Sequence, residues 1–357
     1  MTDDIQLLVD AVGTPSFSTH EHAVARLLVD AMAARGLHSH IDPAGNAVGT
    51  IGDSGPHIVL LGHMDTAPGT VPVRTEGDLL YGRGAVDAKG PLCTFVAAAG
   101  RYAQQATHPF RLSVIGAVEE EYATSRGAHY VSGRYQPAAC IIGEPSGADR
   151  ITLGYKGRVL LDVTSRVESA HSAGAAASAP ERCMAVWQHI QAYCAAYNQT
   201  QTRLFDQYLP SLRHIASGSD GLVDWARAGI GIRLPPARTP WQLLDDLAAY
   251  GDAATTLLFR DVAPAWSSPR TDAAATALAS AIRSHGGTPG MIHKTGTADM
   301  NVVGPRWQCP IVAYGPGDST LDHTPHEHIS LTEYRRAIDI LSSALPILAQ
   351  RLAAHQA

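Results

Sequence analysis

Lysine is nearly missing from this chain. Only Lys89, Lys156 and Lys294 stand among its 27 basic residues, the rest being arginine. A composition bias toward arginine explains the background, and against it each lysine is a candidate for a position that needs a compact point charge. All three lie in glycine-bearing segments, Asp87-Ala88-Lys89-Gly90, Tyr155-Lys156-Gly157 and Lys294-Thr295-Gly296. Cysteine is sparse as well. Cys93, Cys140, Cys183, Cys194 and Cys309 are dispersed, odd in number and without Cys-x-x-Cys spacing, which argues against a disulfide framework. They read as reduced, core-filling thiols in a cytoplasm. No stretch approaches the roughly 18 uninterrupted apolar residues of a membrane span. The start, Met1-Thr2-Asp3-Asp4, is acidic where a signal peptide is basic. With a net charge of −6 and no basic run, neither nucleic acid nor a membrane is an expected partner. Internal repeats and low-complexity tracts are absent too.

What is present is enough chain, 357 residues, for a sizeable core and two domains. The early part alternates helices and strands. Residues 20–35 have helical spacing of Val24, Leu27, Leu28 and Ala31 and stop at Gly36. The runs 57–62 and 138–143 suit buried strands, and residues 91–105 read as a helix with proline at its start. This predicts an α/β domain with a mixed, mainly parallel sheet. After Gly143 the texture changes to β-α-β-α-β: a strand near 159–163, helix 180–197, strand 229–234, helix 241–250 and strand 255–259. From Ser267 the α/β pattern resumes, with a helix to His285, a strand at 310–314 and an amphipathic helix from Thr332. The simplest organisation is one discontinuous α/β domain, residues 1–155 and 265–357, interrupted by an inserted α+β domain, residues 156–264.

Chemistry gathers at strand and loop ends. The apolar run 110–118 delivers three consecutive carboxylates, Glu119-Glu120-Glu121. Like charges at the end of a buried strand are costly unless a cation receives them. Two further strands end in Gly62-His63-Met64-Asp65 and Gly143-Glu144-Pro145, where open α/β sheets place their sites. Loops add Asp87 and the segment Leu321-Asp322-His323-Thr324-Pro325. Alone, each is a weak signal, and a helix cap or a solvated carboxylate is the commoner role. Together, two histidines and several carboxylates fit zinc, which takes nitrogen and oxygen ligands.

The ordered set Gly-His-Met-Asp, Gly-Arg-Gly-Ala-Val-Asp-Ala-Lys-Gly, Glu-Glu-Glu, Gly-Glu-Pro and His-Thr-Pro resembles the di-zinc aminoacylase and carboxypeptidase family, over nearly the whole chain. The resemblance implies a zinc-hydrolase catalytic domain with an inserted lid and dimerisation domain, hence a homodimer. It implies two zinc ions, replaceable by cobalt, bridged by Asp87. One would be completed by His63 and Glu144, the other by Glu121 and His323. Asp65 would orient His63, and Glu120 would be the general base. In the inserted domain, Ser169-Ala170-His171-Ser172 matches the family position of a histidine that reaches the partner's active site to stabilise an oxyanion, although the preceding glycine of that motif is absent. Gly296-Thr297-Ala298-Asp299 matches a loop lining the substrate pocket, with Lys294 and Arg233 as candidates for a substrate carboxylate. An ordinary salt bridge is the competing role for either.

The longer segments around Glu119–Glu121, Lys294–Asn301 and Ala313–Asp318 are most similar to the lysine-biosynthesis branch. That branch releases lysine, or ornithine, from the γ-glutamyl end of an acidic amino-group carrier protein, or from an N-acyl amino acid. A basic surface would suit such a carrier, and the net charge of −6 does not by itself supply one. Acetylornithine deacetylase or a dipeptidase of the same family is the rival enzyme reading. A non-catalytic metal-binding protein is the rival of another class, and for it Glu120 or a ligand should be missing.

Overall fold

The computed structural model describes residues 4–171 and 174–356. Met1, Thr2 and Asp3 of the acidic start, and Ser172 of the Ser169-to-Ser172 segment, lie outside the described residues. The chain forms two compact units, Met1–Gly154 with Ser268–His293 and Ala298–Ala357, and Tyr155–Ser267 with Lys294–Thr297.

The first unit is built on a mixed sheet. Four strands run parallel at its centre, in the order Arg111–Ala117, His57–His63, Ala139–Gly143 and Ile311–Ala313. Their near-continuous apolar composition is what burial on both faces requires. Antiparallel strands flank them, Ala47–Ile51 and His38–Ile41 on one side and Arg150–Tyr155 on the other. A separate antiparallel sheet joins Arg74–Glu76, Leu79–Tyr81 and His328–Ser330.

Three glycines lie side by side across the central strands, because Gly62 pairs with both Gly116 and Gly143. A Cβ at these positions would come 3.3 Å from Leu92, 3.1 Å from Leu92 and 2.9 Å from Phe95 respectively. The glycine row therefore lets the helix Lys89–Ala103 lie directly on the sheet, buried around nearly its whole circumference. The long helix Leu331–Gln356 packs against it and against the helix Ala273–Ser284. By length and composition its Leu331–Ala354 stretch could cross a membrane, yet half of that stretch is buried inside the protein. The helix expected from Ser267 begins only at Ala273, where Asp272 accepts hydrogen bonds from the amides of Ala274 and Ala275. Pro269 precedes this cap and keeps the earlier residues out of the helix.

The second unit is a four-stranded antiparallel sheet in the order Leu209–Ser219, Val223–Leu234, Gly157–Glu168 and Thr255–Ala263. Helices Ala179–Asn198 and Pro240–Ala248 cover one face, each opened by a capping box, Ser178 with Glu181 and Thr239 with Gln242. Val159, Leu161, Val163, Ile230 and Ile232 point into that core with Val186, Ile190, Leu243 and Leu247. The order is β-α-β-β-α-β, which corrects the expected β-α-β-α-β. The additional strand, Leu209–Ser219, lies at the sheet edge and is largely exposed, so its residues carry no apolar alternation that would reveal it.

Two of the three lysines use their compact ammonium on main-chain carbonyls, in the service of the fold. Buried Lys156 donates from Nζ to the carbonyls of Leu204 (3.1 Å), Phe205 (2.9 Å) and Gln207, tying down an irregular turn. Lys89 donates from Nζ to the Thr14 carbonyl at 2.7 Å.

His57, at the start of a central strand, sits 2.9 Å from the Ser113 hydroxyl. Burial, with the Arg111 charge second, holds its imidazole down at about 4. Because the unfolded chain titrates near 6.5, the stability contributed by neutral His57 is complete above that pH and is lost as pH falls from 6.5 through 4. Urea midpoints measured at pH 7 and pH 5 should therefore fall less for His57→Gln than for the unmodified chain. Equal falls would remove His57 from the acid sensitivity.

Candidate metal centre

Three adjacent parallel strands end on one edge of the first unit, and each hands over a ligand-type side chain at or just past its last residue. These are His63, the Glu120-Glu121 pair after Ala117, and Glu144 after Gly143. Asp87 lies between them. Its Oδ1 is 3.2 Å from His63 Nε2 and its Oδ2 is 3.0 Å from His323 Nε2. His323 Nε2 also lies 2.9 Å from Glu121 Oε1, and Glu144 Oε1 lies 3.8 Å from His63 Nε2. The side chains thus form two groups sharing one member, His63-Asp87-Glu144 and Asp87-Glu121-His323, with ligand atoms within 4.8 Å of one another in each. Glu120 Oε2 stands beside them, 4.0 Å from His63 Nε2.

A regular strand would send Glu120 and Glu121 to opposite faces, so for both to join one cluster the chain has to leave strand geometry by Glu120. It does so earlier, ending at Ala117, with Glu119 in the left-handed region at φ 59°. His323 is left-handed as well, at φ 61°. Non-glycine residues adopt this conformation only at a cost that the surroundings must offset. Here the buried Asp65 carboxylate supplies part of that support. Its two oxygens accept the amides of Glu120 and Glu121, each at 3.0 Å, and Oδ2 also accepts the Ser18 hydroxyl at 2.8 Å. The same carboxylate is 3.4 Å from His63 Nδ1. One side chain therefore aims both carboxylates and touches the imidazole.

Glu119 is turned elsewhere. Its carboxylate accepts from Arg126 Nε at 2.7 Å and from the Thr124 hydroxyl, while its amide donates to Glu21 Oε1. It braces the turn instead of joining the cluster.

The electrostatics are those of a site crowded with negative charge. Burial opposes the Asp87 charge, but hydrogen bonds from His323 and His63 outweigh it and hold its carboxyl well below the ordinary range. Hydrogen bonds to Asp87 and Glu121 lift His323 to about 10. Burial, reinforced by Glu144, Asp299 and Glu121 against the opposing effect of His63, pushes Glu120 well above the usual carboxylate value. Asp299 is 2% exposed, and neither of its oxygens has a hydrogen-bond partner among the described residues. Burial raises it to about 7. Imidazole nitrogens and carboxylate oxygens in two overlapping sets, beside an unsatisfied buried carboxylate, form a donor set suited to divalent cations of the zinc type.

The other expected site residues belong to the second unit. Arg233 Nη1 donates to the Thr297 hydroxyl at 2.9 Å, and Arg158 Nη1 donates to the same hydroxyl at 3.2 Å. Lys294 is half-buried three residues before Thr297. Sequence reasoning passed over Arg158, although it lies two residues after the Lys156 that was singled out. His171 is exposed, and its carbonyl accepts from the Gly174 amide.

A model of peptidase family M20/M25/M40 matches residues 59–346. The chain belongs to this family. Among M20/M25/M40 relatives, a LysW-lysine hydrolase of Deinococcus radiodurans is 44% identical over 345 residues, 95% of each chain. A protein of Thermococcus kodakarensis, named a candidate LysW-lysine/LysW-ornithine hydrolase, is 36% identical over 95% of this chain and 90% of its own length. An M20 family metallo-carboxypeptidase of Sulfolobus solfataricus, at 17% identity, has the same fold with a TM-score of 0.80, covering 98% of this chain and all of its own. As an M20/M25/M40 member the protein is a metal-dependent hydrolase of amide bonds.

Asp65 and Glu119 should separate cleanly in mutants. Asp65→Asn replaces one accepting oxygen with a donor and should weaken metal binding about 10- to 100-fold. Glu119→Gln should lower unfolding free energy by about 1–3 kcal/mol while leaving metal affinity nearly unchanged. Chelator competition and urea unfolding measure the two quantities, and the reverse pattern would exchange the roles.

Proposed function

We propose that this chain releases lysine, and by extension ornithine, from the γ-glutamyl terminus of the amino-group carrier LysW by hydrolysing the amide, as a late step of lysine biosynthesis. The carrying observation is the double use of Asp87, one carboxylate facing two histidines that each have a further carboxylate. The substrate reading rests on likeness to the Deinococcus radiodurans LysW-lysine hydrolase. His63, Asp87 and Glu144 would hold one divalent ion, and Asp87, Glu121 and His323 a second, zinc by donor type with cobalt as a substitute. When bound, the ions supply electrophilic assistance to the scissile carbonyl and acidify water in the site.

The chain's own residues do the rest. The Glu120 carboxylate takes a proton from the attacking water as the new C–O bond forms, and then delivers it to the departing α-amine as the C–N bond breaks. Asp65 keeps Glu120 and Glu121 aimed from opposite ends of one carboxylate. Arg233, Thr297 and Lys294 are read as substrate contacts. His171 is read as reaching the active site of a second copy in a homodimer formed through the inserted domain. The five unpaired thiols favour a cytoplasmic setting. A purely metal-binding role is disfavoured because Glu120 and every expected ligand are present.

The acidic carrier finds a counterpart on the second unit. The sheet face opposite the two helices carries Arg158, Arg166, Arg213, Arg227, Arg233 and Arg260, against Asp162 paired with Arg260, Asp261 paired with Arg158, and the exposed Glu168 at the strand end. In a chain of net charge −6 this face is a local basic surface, and it supports carrier docking by charge complementarity.

Glu120→Gln should retain metal and lose about 10²–10⁴-fold in kcat; turnover within a few-fold of the unmodified enzyme would reject Glu120 as the base. The substrate assignment is checked by comparing LysW-lysine, LysW-ornithine, N-acetyl-lysine, N-acetylornithine and dipeptides, with the carrier conjugates expected to be the best substrates. The charge-reversed pair Arg166→Glu/Arg227→Glu should raise KM for LysW-lysine about tenfold and leave hydrolysis of N-acetyl-lysine unchanged. Equal effects on both substrates would remove the basic face from carrier recognition.

A further inference from the structure

The His-Thr-Pro segment that supplies His323 continues to Glu327, a residue the chemistry above does not use. Glu327 is fully buried. Its Oε1 accepts the amides of Val86 (3.0 Å) and Asp87 (3.2 Å), and its Oε2 accepts Arg83 Nη1 at 2.7 Å. Its own carbonyl accepts the Gly82 amide. The loop 82–87 is therefore wrapped around one carboxylate. Arg83 extends the arrangement in the other direction, donating from Nη2 to the His323 carbonyl at 3.4 Å and from Nε to the Gly69 carbonyl at 3.3 Å.

The small sheet explains how these parts meet. Leu79–Tyr81 pairs with His328–Ser330, so the loop leaving Tyr81 toward Asp87 runs beside the loop that brings His323 to Glu327. Neither loop has regular structure between its sheet strand and its ligand. Without a brace, Asp87 and His323 would be free to drift apart, and His323 must also be kept in the left-handed region. A buried carboxylate that gathers two successive amides and an arginine is costly unless all those contacts are made. A surface loop gains nothing from such an arrangement, whereas a ligand pair that must be held to a fraction of an ångström does.

We infer that the buried Glu327–Arg83 pair is a positioning device that holds the backbones of Asp87 and His323 in register, and so governs the ion these two residues share with Glu121. Neither residue touches substrate or ion. The inference rests on the two-ion reading above. It predicts an unequal defect: Asp87 belongs to both ligand groups, but the group with Glu121 draws both Asp87 and His323 from braced loops, whereas His63 and Glu144 of the other are delivered by strands of the main sheet.

The test is a chelator-competition titration with Co²⁺ on the metal-stripped full chain, which reads the two binding steps separately, together with urea unfolding of the same metal-free samples. Glu327→Gln keeps the shape but turns a donor toward Arg83. One binding step is expected to weaken 10- to 100-fold, and the other, which shares only Asp87 with the brace, by a clearly smaller factor. Arg83→Lys, a milder change, keeps the charge but loses the reach to the His323 carbonyl, and should weaken the same step by a smaller factor. If both steps are unchanged in these variants while the metal-free midpoint falls, or if both steps weaken alike, the brace is merely structural and the inference is overturned. The unmodified chain controls for the underlying reading: fewer than two Co²⁺ bound to it rejects the two-ion site itself, whatever the variants do.

Discussion

Everything at this site answers to a crowding of negative charge. Asp65, Asp87, Glu120, Glu121, Glu144 and Asp299, all largely buried, are gathered around two imidazoles, buried His63 and half-exposed His323. Mutual repulsion and lost hydration would scatter these carboxylates unless each were compensated. The fold compensates them unequally. Asp65 is saturated with amides and a hydroxyl, Glu119 is drawn off to Arg126, and Glu327 is neutralised by Arg83. The remaining members face one another, and the polarity of their surroundings is left for a cation to settle. Division of labour among the acids is therefore set less by their identities than by which of them the backbone serves.

That division explains what could be read from residue order and what could not. The strand-end positions of His63 and Glu144 were legible, because short apolar runs closing in Gly-His or Gly-Glu mark parallel strands and their downstream edge. The α/β class followed from the same runs. Glu119 was not legible: its role depends on a left-handed turn and on contacts with Glu21 and Arg126 that no local pattern announces. Lys89 and Lys156 misled for a related reason. Rarity marked them as special, yet Lys156 serves a set of main-chain carbonyls and Lys89 a single one, partners that only the folded chain brings to them. The strand Leu209–Ser219 escaped notice because an edge strand with both faces partly wet has no period to detect. Arginine abundance looked like composition, and only the alternation of the sheet turns it into a surface.

The two units also divide the physical tasks. The first is a sheet with helices packed close, where apolar burial fixes positions within narrow limits. The second uses one covered face for stability and leaves the other rich in arginine. Arg158 and Arg233 meeting on one threonine hydroxyl show how tightly like charges can be packed when the chain lies flat beneath them. A chain with a net negative charge can present a positive face in this way without changing its overall solubility.

The row Gly62, Gly116 and Gly143 has a consequence for how this protein can fail. Each glycine immediately or closely precedes a site residue that lies on its own strand or just past its end, and all three seat the helix that begins just after Asp87. A methyl group at any of them would press on Leu92 or Phe95 of that helix, so that the helix face following Asp87 has to give way. Errors of packing and errors of chemistry are thus one event at these positions. Substitution there is felt at once in the seat of the helix and in the loop that leads into it, whereas a methylene lost elsewhere in the core is felt first as stability.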